Sequence, residues 1–314
     1  MQTSIHEAAR AVEEADFLLL ASGAGLSADS GMATFATLTS KMGEALGEGV
    51  TYDVAAGFDC FTKDPSLFYG FWFASARGYA DGEPHAGYGV LRAWRERAEA
   101  RAEARMGDLP TLAPCFALTS NVDGWHGRCG VAAPGALAQI HGCHTVWQCG
   151  GLPSGRKFPL LSRGSCCNEL FPMPDMSGMD FETLPLRFHG DAPKCPRCRD
   201  GWLRPHVYLF GDQNFHNVEE VTGEQSYRQW AEGVAAALQA DAKLKLTIVE
   251  VGCGLRVPNI QKRCKELLDA CPNAQRCLVK INPEEGGLTS PAVFVKAPAK
   301  TALLDIEREI TTLD

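Results

Sequence analysis

His141 stands before Gly142 at the end of the short apolar stretch in QIHGCH, residues 139 to 144. An imidazole there is either a general base working near neutral pH or a structural histidine, and His144 has the weaker claim. In TSNVDGWH, residues 119 to 126, Asn121 and Asp123 directly follow the apolar run CFALTS. Loops after the strands of an open α/β sheet face the ligand crevice, so this pair either projects into that crevice or holds its own backbone as an Asx-rich turn. A third stretch, LLLASGAGLSADSG, spells GxGxxA through Gly23, Gly25 and Ala28. The glycines permit a tight bend and close backbone approach to a pyrophosphate, and Ala28 lets the following helix pack closely with its N–H groups toward the phosphates. The other reading is a plain strand-to-helix turn; Ser27 and Ser30 can cap it or contact phosphate. VEVGCGLRVPN at 249 to 259 and INPE at 281 to 284 are two further run ends tipped with glycine or Asn, matching a crevice for the other half of a dinucleotide.

Cys195 and Cys198, with Gly201 behind them, form a knuckle in which two thiolates reach one tetrahedral metal. Cys149 is a candidate third ligand, but the position three residues on is Leu152, so the fourth must come from Cys166, Cys167 or elsewhere. Structural zinc is one reading; free buried thiols or a degenerate site is the other. The count of 13 cysteines is odd, which predicts reduced thiols and metal ligands, not a disulfide framework.

The elements that must position these groups follow from periodicity. Ile5, Ala8, Ala9, Val12 and Ala15 predict a helix over 3 to 15 feeding a strand over Phe17 to Ala21. Near-continuous apolar runs at 115 to 120, 246 to 252 and 277 to 282 predict parallel strands buried on both faces, with helical patterns at 224 to 239 and 259 to 270 between them. The predicted class is α/β, a Rossmann-like doubly wound parallel sheet built from residues 1–36, 86–144 and 205–314. Residues 37–85, rich in Phe, Trp, Tyr and Gly, and the cysteine-rich residues 145–204 are predicted to be insertions forming a smaller subdomain. Arg97, Arg101 and Arg105 make one row, and Glu99 and Glu103 another, which is the pattern of a solvated helix face; a partner-binding row is the alternative.

A net charge of −8 argues against direct nucleic-acid binding and leaves basic protein partners open. No run is long and apolar enough to span a membrane, and the first residues lack the apolar centre of a secretory signal; the expectation is an intracellular protein, cytoplasmic or nuclear.

In chain order these motifs resemble those of the sirtuins, a family of NAD-dependent protein deacylases. GAGLSADSG is similar to the family's GAGxSxxSG turn, TSNVD to its TQNID, IHG to its catalytic HG, and RPHVYLFGD to its RPxVVxFGE. VGCGLRVPN resembles a divergent second nucleotide loop and INPE the family's INxE, so the likeness spans roughly residues 16 to 285. It implies a Rossmann-like large domain and a small zinc-plus-helical domain, with NAD and an acyl-lysine protein or peptide meeting between them. In the implied mechanism the acyl oxygen attacks the nicotinamide-bearing ribose carbon and nicotinamide leaves. His141 then deprotonates a ribose hydroxyl, and the acyl group passes to ADP-ribose. By the same resemblance Asn121 orients ribose and water and Asp123 recognises the nicotinamide carboxamide. Gly23, Ala24, Gly25, Ser27, Phe35, Ser120, Gly252, Cys253, Gly254 and Asn282 belong to the NAD site; Phe210, Gly211 and Asp212 bind the acyl peptide; and Cys149, Cys166, Cys195 and Cys198 hold zinc.

Ala33-Thr34-Phe35-Ala36 stands where the family has Pro-Asp-Phe-Arg, so an acid and a base are missing while the aromatic stays. An arginine near phosphate or ribose supplies a charge-assisted hydrogen bond of ~1.5–3 kcal/mol, so its loss predicts NAD affinity or turnover lower by about one to two powers of ten. Ser120 replaces the family's Gln, and Asp212 its final Glu. The expected function is an NAD-dependent protein-lysine deacylase, slow or with atypical acyl preference. The alternatives are an ADP-ribosyltransferase or NAD hydrolase, and a catalytically impaired sensor of NAD or ADP-ribose.

Overall fold

A computed structural model describes residues 2–32, 45–105, 112–151, 169–176 and 180–313. Its strands, in chain order, are β1 (Phe17–Ser22), β2 (Cys115–Thr119), β3 (Leu137–Gln139), β4 (Gly142–Cys149), β5 (Leu170–Pro172), β6 (Phe181–Thr183), β7 (Leu186–Phe188), β8 (Leu203–Val207), β9 (Lys245–Val251), β10 (Gln275–Ile281) and β11 (Val293–Val295). Six of them form one parallel sheet in the order β11-β10-β9-β1-β2-β3. The chain steps outward from β1 through β2 to β3, then returns and steps the other way from β9 through β10 to β11. The reversal falls between β1 and β9, and a doubly wound sheet opens its ligand crevice at that point. The loops leaving these two strands carry Gly23–Gly25 and Gly252–Gly254.

Strand alternation assigns each side chain its layer. Leu18 and Leu20 of β1 pack with Ile5, Val12, Trp94 and Leu303, under the helices Gln2–Glu13, Gly87–Ala104 and Ala299–Leu313. Phe17, Leu19 and Ala21 point the other way, to Trp230 and Leu267 on the helices Glu224–Ala240 and Asn259–Ala270. All six residues of β1 are buried, as a central strand covered on both faces must be.

The arginine row is solvated only in part: Glu103 and Arg105, the latter just past the helix Gly87–Ala104, are exposed, while Arg97 and Arg101 are half-buried against acidic partners. Arg97 reaches Glu13 and Glu307, Arg101 donates to Glu13 Oε1 at 2.8 Å, and Arg105 pairs with Asp16. Together with Trp94 Nε1 donating to Glu307 at 2.8 Å, the row ties three helices to one another. Its periodicity was legible, but its environment was not, because the acidic partners lie on elements far away in the sequence.

Beside the sheet lies a separate core of Phe61, Phe68, Tyr69, Phe73, Trp147 and Leu203. Tyr69 and Phe73 stack on Trp147 at 6.3 and 5.7 Å, and Tyr69 Oη donates to Leu203 O at 2.7 Å. Its main helix, Pro65–Asp81, starts with proline at its first position, and Asp64 accepts from Leu67 N at 3.1 Å. That start needs no tertiary help, since proline has no N–H to satisfy there and the carboxylate caps a free one. A small antiparallel sheet β5-β4-β8 joins this core to the crevice, so one strand, β4, runs from the residue after His141 to Cys149. Among the described residues, no helix is long and apolar enough to cross a membrane.

Candidate functional site

The two glycine turns are built against each other. Gly25 N donates to Gly252 O at 2.9 Å, and a Cβ on Gly25 would lie 2.6 Å from Gly252 Cα. Gly252 has φ +64°, where a side chain is strained, and a Cβ there would sit 2.4 Å from Leu26 N. Gly25 and Gly252 therefore hold the loops in contact, while Gly23, Ala24, Cys253 and Gly254 line the cavity at the switch point, a hollow of about 580 Å³. The helix after the first turn is only Gly25–Ala28 and has no side-chain cap. Ser30 Oγ is occupied by the amide of His85 at 2.8 Å.

Beyond β2, Ser120, Asn121 and Asp123 line the same cavity. Ser27 Oγ donates to Asp123 Oδ2 at 2.8 Å and accepts from Asn121 Nδ2 at 3.0 Å, while Trp125 N donates to Asp123 Oδ1 at 2.9 Å. The Asx turn and the crevice-facing pair are thus the same structure: one carboxylate oxygen holds backbone and the other is held by Ser27. Burial pushes the Asp123 carboxyl above its ordinary value, against the hydrogen bonds from Trp125 and Ser27. Tyr88 Oη, 3.0 Å from Ser27 Oγ, closes the network from the helix Gly87–Ala104.

His141 is set by the glycine that follows it. Gly142 has φ +77°, and a Cβ on it would lie 2.0 Å from His206 O. Only glycine lets β4 pair with β8 there, with Gly142 opposite Val207 and Tyr208 N donating to His141 O at 3.0 Å. The ring faces the cavity with Nε2 3.0 Å from Asn259 Nδ2. Burial lowers its pKa from the ordinary 6.5, opposed by a hydrogen bond to the Ser120 backbone and by the charge of Glu224. It is therefore neutral at pH 7, the form a base requires. His144 instead sits with Nδ1 2.9 Å from Val122 O, in a structural role.

The segment after β8 brings Phe210, Gly211 and Asp212 to the cavity. Phe58 N donates to Phe210 O at 2.9 Å, which tethers this segment to the aromatic core. The Asp212 side chain is wholly buried 2.8 Å from Arg204, and it accepts from Leu209 N and Asn214 N. It shapes the turn that presents Phe210. The opposite wall is apolar, with Tyr52, Phe71, Ala74 and Tyr79.

Cys149, Cys195 and Cys198 converge, their Sγ atoms all within 4.8 Å of one another. Cys149 and Cys198 Sγ are 3.9 Å apart, close to the ~3.8 Å edge of a tetrahedron with ~2.3 Å zinc–sulfur bonds. Gly201 N donates to Cys198 Sγ at 3.2 Å, and a Cβ on Gly201 would lie 2.8 Å from Cys149 Sγ. The donor set fits zinc. Cys166 and Cys167 lie outside the described residues, as does the segment Ala33-Thr34-Phe35-Ala36.

Three predicted cofactor residues brace instead of lining the cavity: Gly25 and Gly252, as above, and Asn282, whose Nδ2 donates to Cys253 O at 3.1 Å. Sequence reasoning passed over Tyr88, Arg204 and Asn259 as individuals, because each acts through a partner far away in the chain. The wall on Pro65–Asp81 carried a readable signal in Asp64-Pro65.

A parallel sheet with two glycine turns meeting at its switch point, and a polar hollow beneath them, defines an α/β protein of the Rossmann nucleotide-binding class. No protein-family model matches the sequence. Among curated proteins, NAD-dependent protein deacylase 2 of Pseudomonas aeruginosa is 28% identical over 232 residues, 73% of each chain. The NAD-dependent protein deacylase of Deinococcus radiodurans is 26% identical over 293 residues, 92% of each. Among solved structures, a Sir2 homologue in complex with NAD superposes with a TM-score of 0.63 at 19% identity, covering 98% of this chain and 94% of that one. In sequence the chain is thus similar to NAD-dependent protein deacylases, and in fold to Sir2 homologues.

Proposed function

We propose that the chain is an NAD-dependent protein-lysine deacylase, passing the acyl group of an acyl-lysine side chain to ADP-ribose with release of nicotinamide. The observation that carries this reading is the placement of His141, with Nε2 turned to a hollow also walled by Gly23, Asn121, Asp123 and Gly254. The residues fit NAD: two turns without Cβ atoms for a pyrophosphate, and a buried carboxylate and amide for a carboxamide and ribose. When bound, NAD supplies an electrophilic ribose carbon, a leaving group and an acyl-accepting hydroxyl. Asp123, fixed by Trp125 N and Ser27, accepts from a carboxamide N–H. Asn121 orients the ribose, and Tyr52, Phe71 and Val122 exclude water from the apolar end of the hollow. His141 Nε2 takes the proton of the ribose hydroxyl.

Zinc, held by Cys149, Cys195 and Cys198 with Cys166 as fourth ligand, would brace the small lobe and take no chemical step. We read residues 1–36, 86–144 and 205–314 as the nucleotide lobe, and 37–85 with 145–204 as the small one, a division that the separate aromatic core supports. We read the compartment as reducing and intracellular, which the odd count of 13 cysteines and the converging thiols of Cys149, Cys195 and Cys198 support.

The test is nicotinamide release from NAD across a panel of acyl-lysine peptides, with calorimetry of NAD binding. Release that depends on peptide is expected. Release without dependence on peptide, leaving free ADP-ribose or ADP-ribosylated protein, would favour the transferase or hydrolase reading. Tight NAD binding with no release under any peptide would favour the sensor.

A further inference from the structure

The mechanism uses Nε2 of His141 but leaves unexplained the group that already sits on it. Asn259 opens the helix Asn259–Ala270 just after the second glycine turn, lines the cavity, and places Nδ2 3.0 Å from Nε2. An amide nitrogen only donates, so Nε2 accepts in this contact. A neutral imidazole has a single N–H. With that proton on Nδ1, Nε2 carries the lone pair and the Asn259 amide donates into it.

We propose that Asn259 is a positioning residue for the general base: it holds His141 in the tautomer whose lone pair faces the cavity, and it keeps the place that the reacting hydroxyl takes. The proposal rests on the deacylase reading. In the step, the hydroxyl O–H bond breaks, its electron pair stays on the oxygen that attacks the acyl carbon, and an Nε2–H bond forms. The Asn259 amide can no longer donate to that nitrogen, so its contact favours the neutral ring; Ala makes no such contact, and Asp only accepts and favours the charged ring.

Glu224 on Glu224–Ala240 and Tyr208 after β8 act on or face the ring, and Asp123, Asp212 and Arg256 line the same cavity. The variants leave all of these in place. The test follows the ring resonances of His141 against pH in isotopically labelled protein, without substrate, for wild type, Asn259→Ala and Asn259→Asp. Asp is a favourable residue in the first turn of a helix, so the second variant keeps the fold where the first loses a side chain.

Wild type is expected to titrate below 6.5, Asn259→Ala higher, and Asn259→Asp higher still by about one pH unit or more. The acid limb of the kcat–pH profile should move in the same order, with Asn259→Asp recovering turnover as pH rises. A midpoint that stays in place in both variants overturns the proposal even in an active enzyme. Midpoints that move as stated, in a wild type that transfers no acyl group, overturn the deacylase reading and leave the coupling of Asn259 to His141 standing.

Discussion

A buried imidazole is a base only while it stays neutral and its lone pair stays aimed, and for His141, the base proposed above, the surroundings favour both conditions. In the proposed arrangement Asn259 faces the lone pair of Nε2, burial keeps the ring neutral, and Gly142 lets the strand close behind it. Gly142 was legible beside His141 as a pair of letters, but the steric need for it was not, since it depends on His206 O across a strand pairing. Asn259 was illegible, because 118 residues separate it from its partner. The missing arginine of the cofactor segment is the opposite case, visible in sequence alone. Restoring it in Ala36→Arg is predicted to raise NAD affinity or kcat/KM by roughly tenfold to a hundredfold, the worth of one charge-assisted hydrogen bond. Titration calorimetry with NAD checks this, and an unchanged Kd together with unchanged turnover would refute it.

At the scale of elements, the crevice depends on two turns that touch through backbone. The central strands were readable because strands covered on both faces are apolar throughout: runs at 115 to 120, 246 to 252 and 277 to 282 became β2, β9 and β10. The glycines were readable as a nucleotide motif, but the contact between the turns was not, since it joins loops from opposite ends of the chain. Gly252→Ala is therefore predicted to act on the fold before it acts on the ligand. The positive φ alone costs about 1–2 kcal/mol, and the overlap with Gly25 and Leu26 adds to it. Urea unfolding should show a lower midpoint with an unchanged slope, and NAD binding should weaken as the turns separate. A variant as stable as wild type would mean that the turns do not pack as described.

At the scale of the whole molecule, buried histidines set the acid limit of stability. His126, wholly buried with Nε2 2.8 Å from Ser22 Oγ, is pushed down to about 4 by desolvation, and burial also lowers His85, His141, His144 and His206. Below pH 6.5 the unfolded chain binds these protons and the native one does not. Their contribution is therefore complete above that pH and is lost as pH falls toward 4, by up to about 3 kcal/mol for His126. Asp123 and Glu250, raised by burial, act in the opposite sense, contributing less as pH rises through their titration. Thermal melts should show Tm falling between pH 6.5 and 4.5, with a shallower fall in His126→Gln; a pH-independent Tm would contradict the burial assigned to these rings. None of this was legible in sequence, where eight histidines are alike until the fold decides which are enclosed.

The central claim is that His141 takes a proton from a sugar hydroxyl so that an acyl group can move to it. The most direct measurement is the mass of the product formed from NAD and an acyl-lysine peptide by wild type and by His141→Ala. Wild type is predicted to yield acyl-ADP-ribose and free lysine peptide, and the variant to form it about 10²- to 10⁴-fold more slowly, the usual worth of a positioned base. Equal rates of acyl-ADP-ribose formation by both proteins would contradict the account.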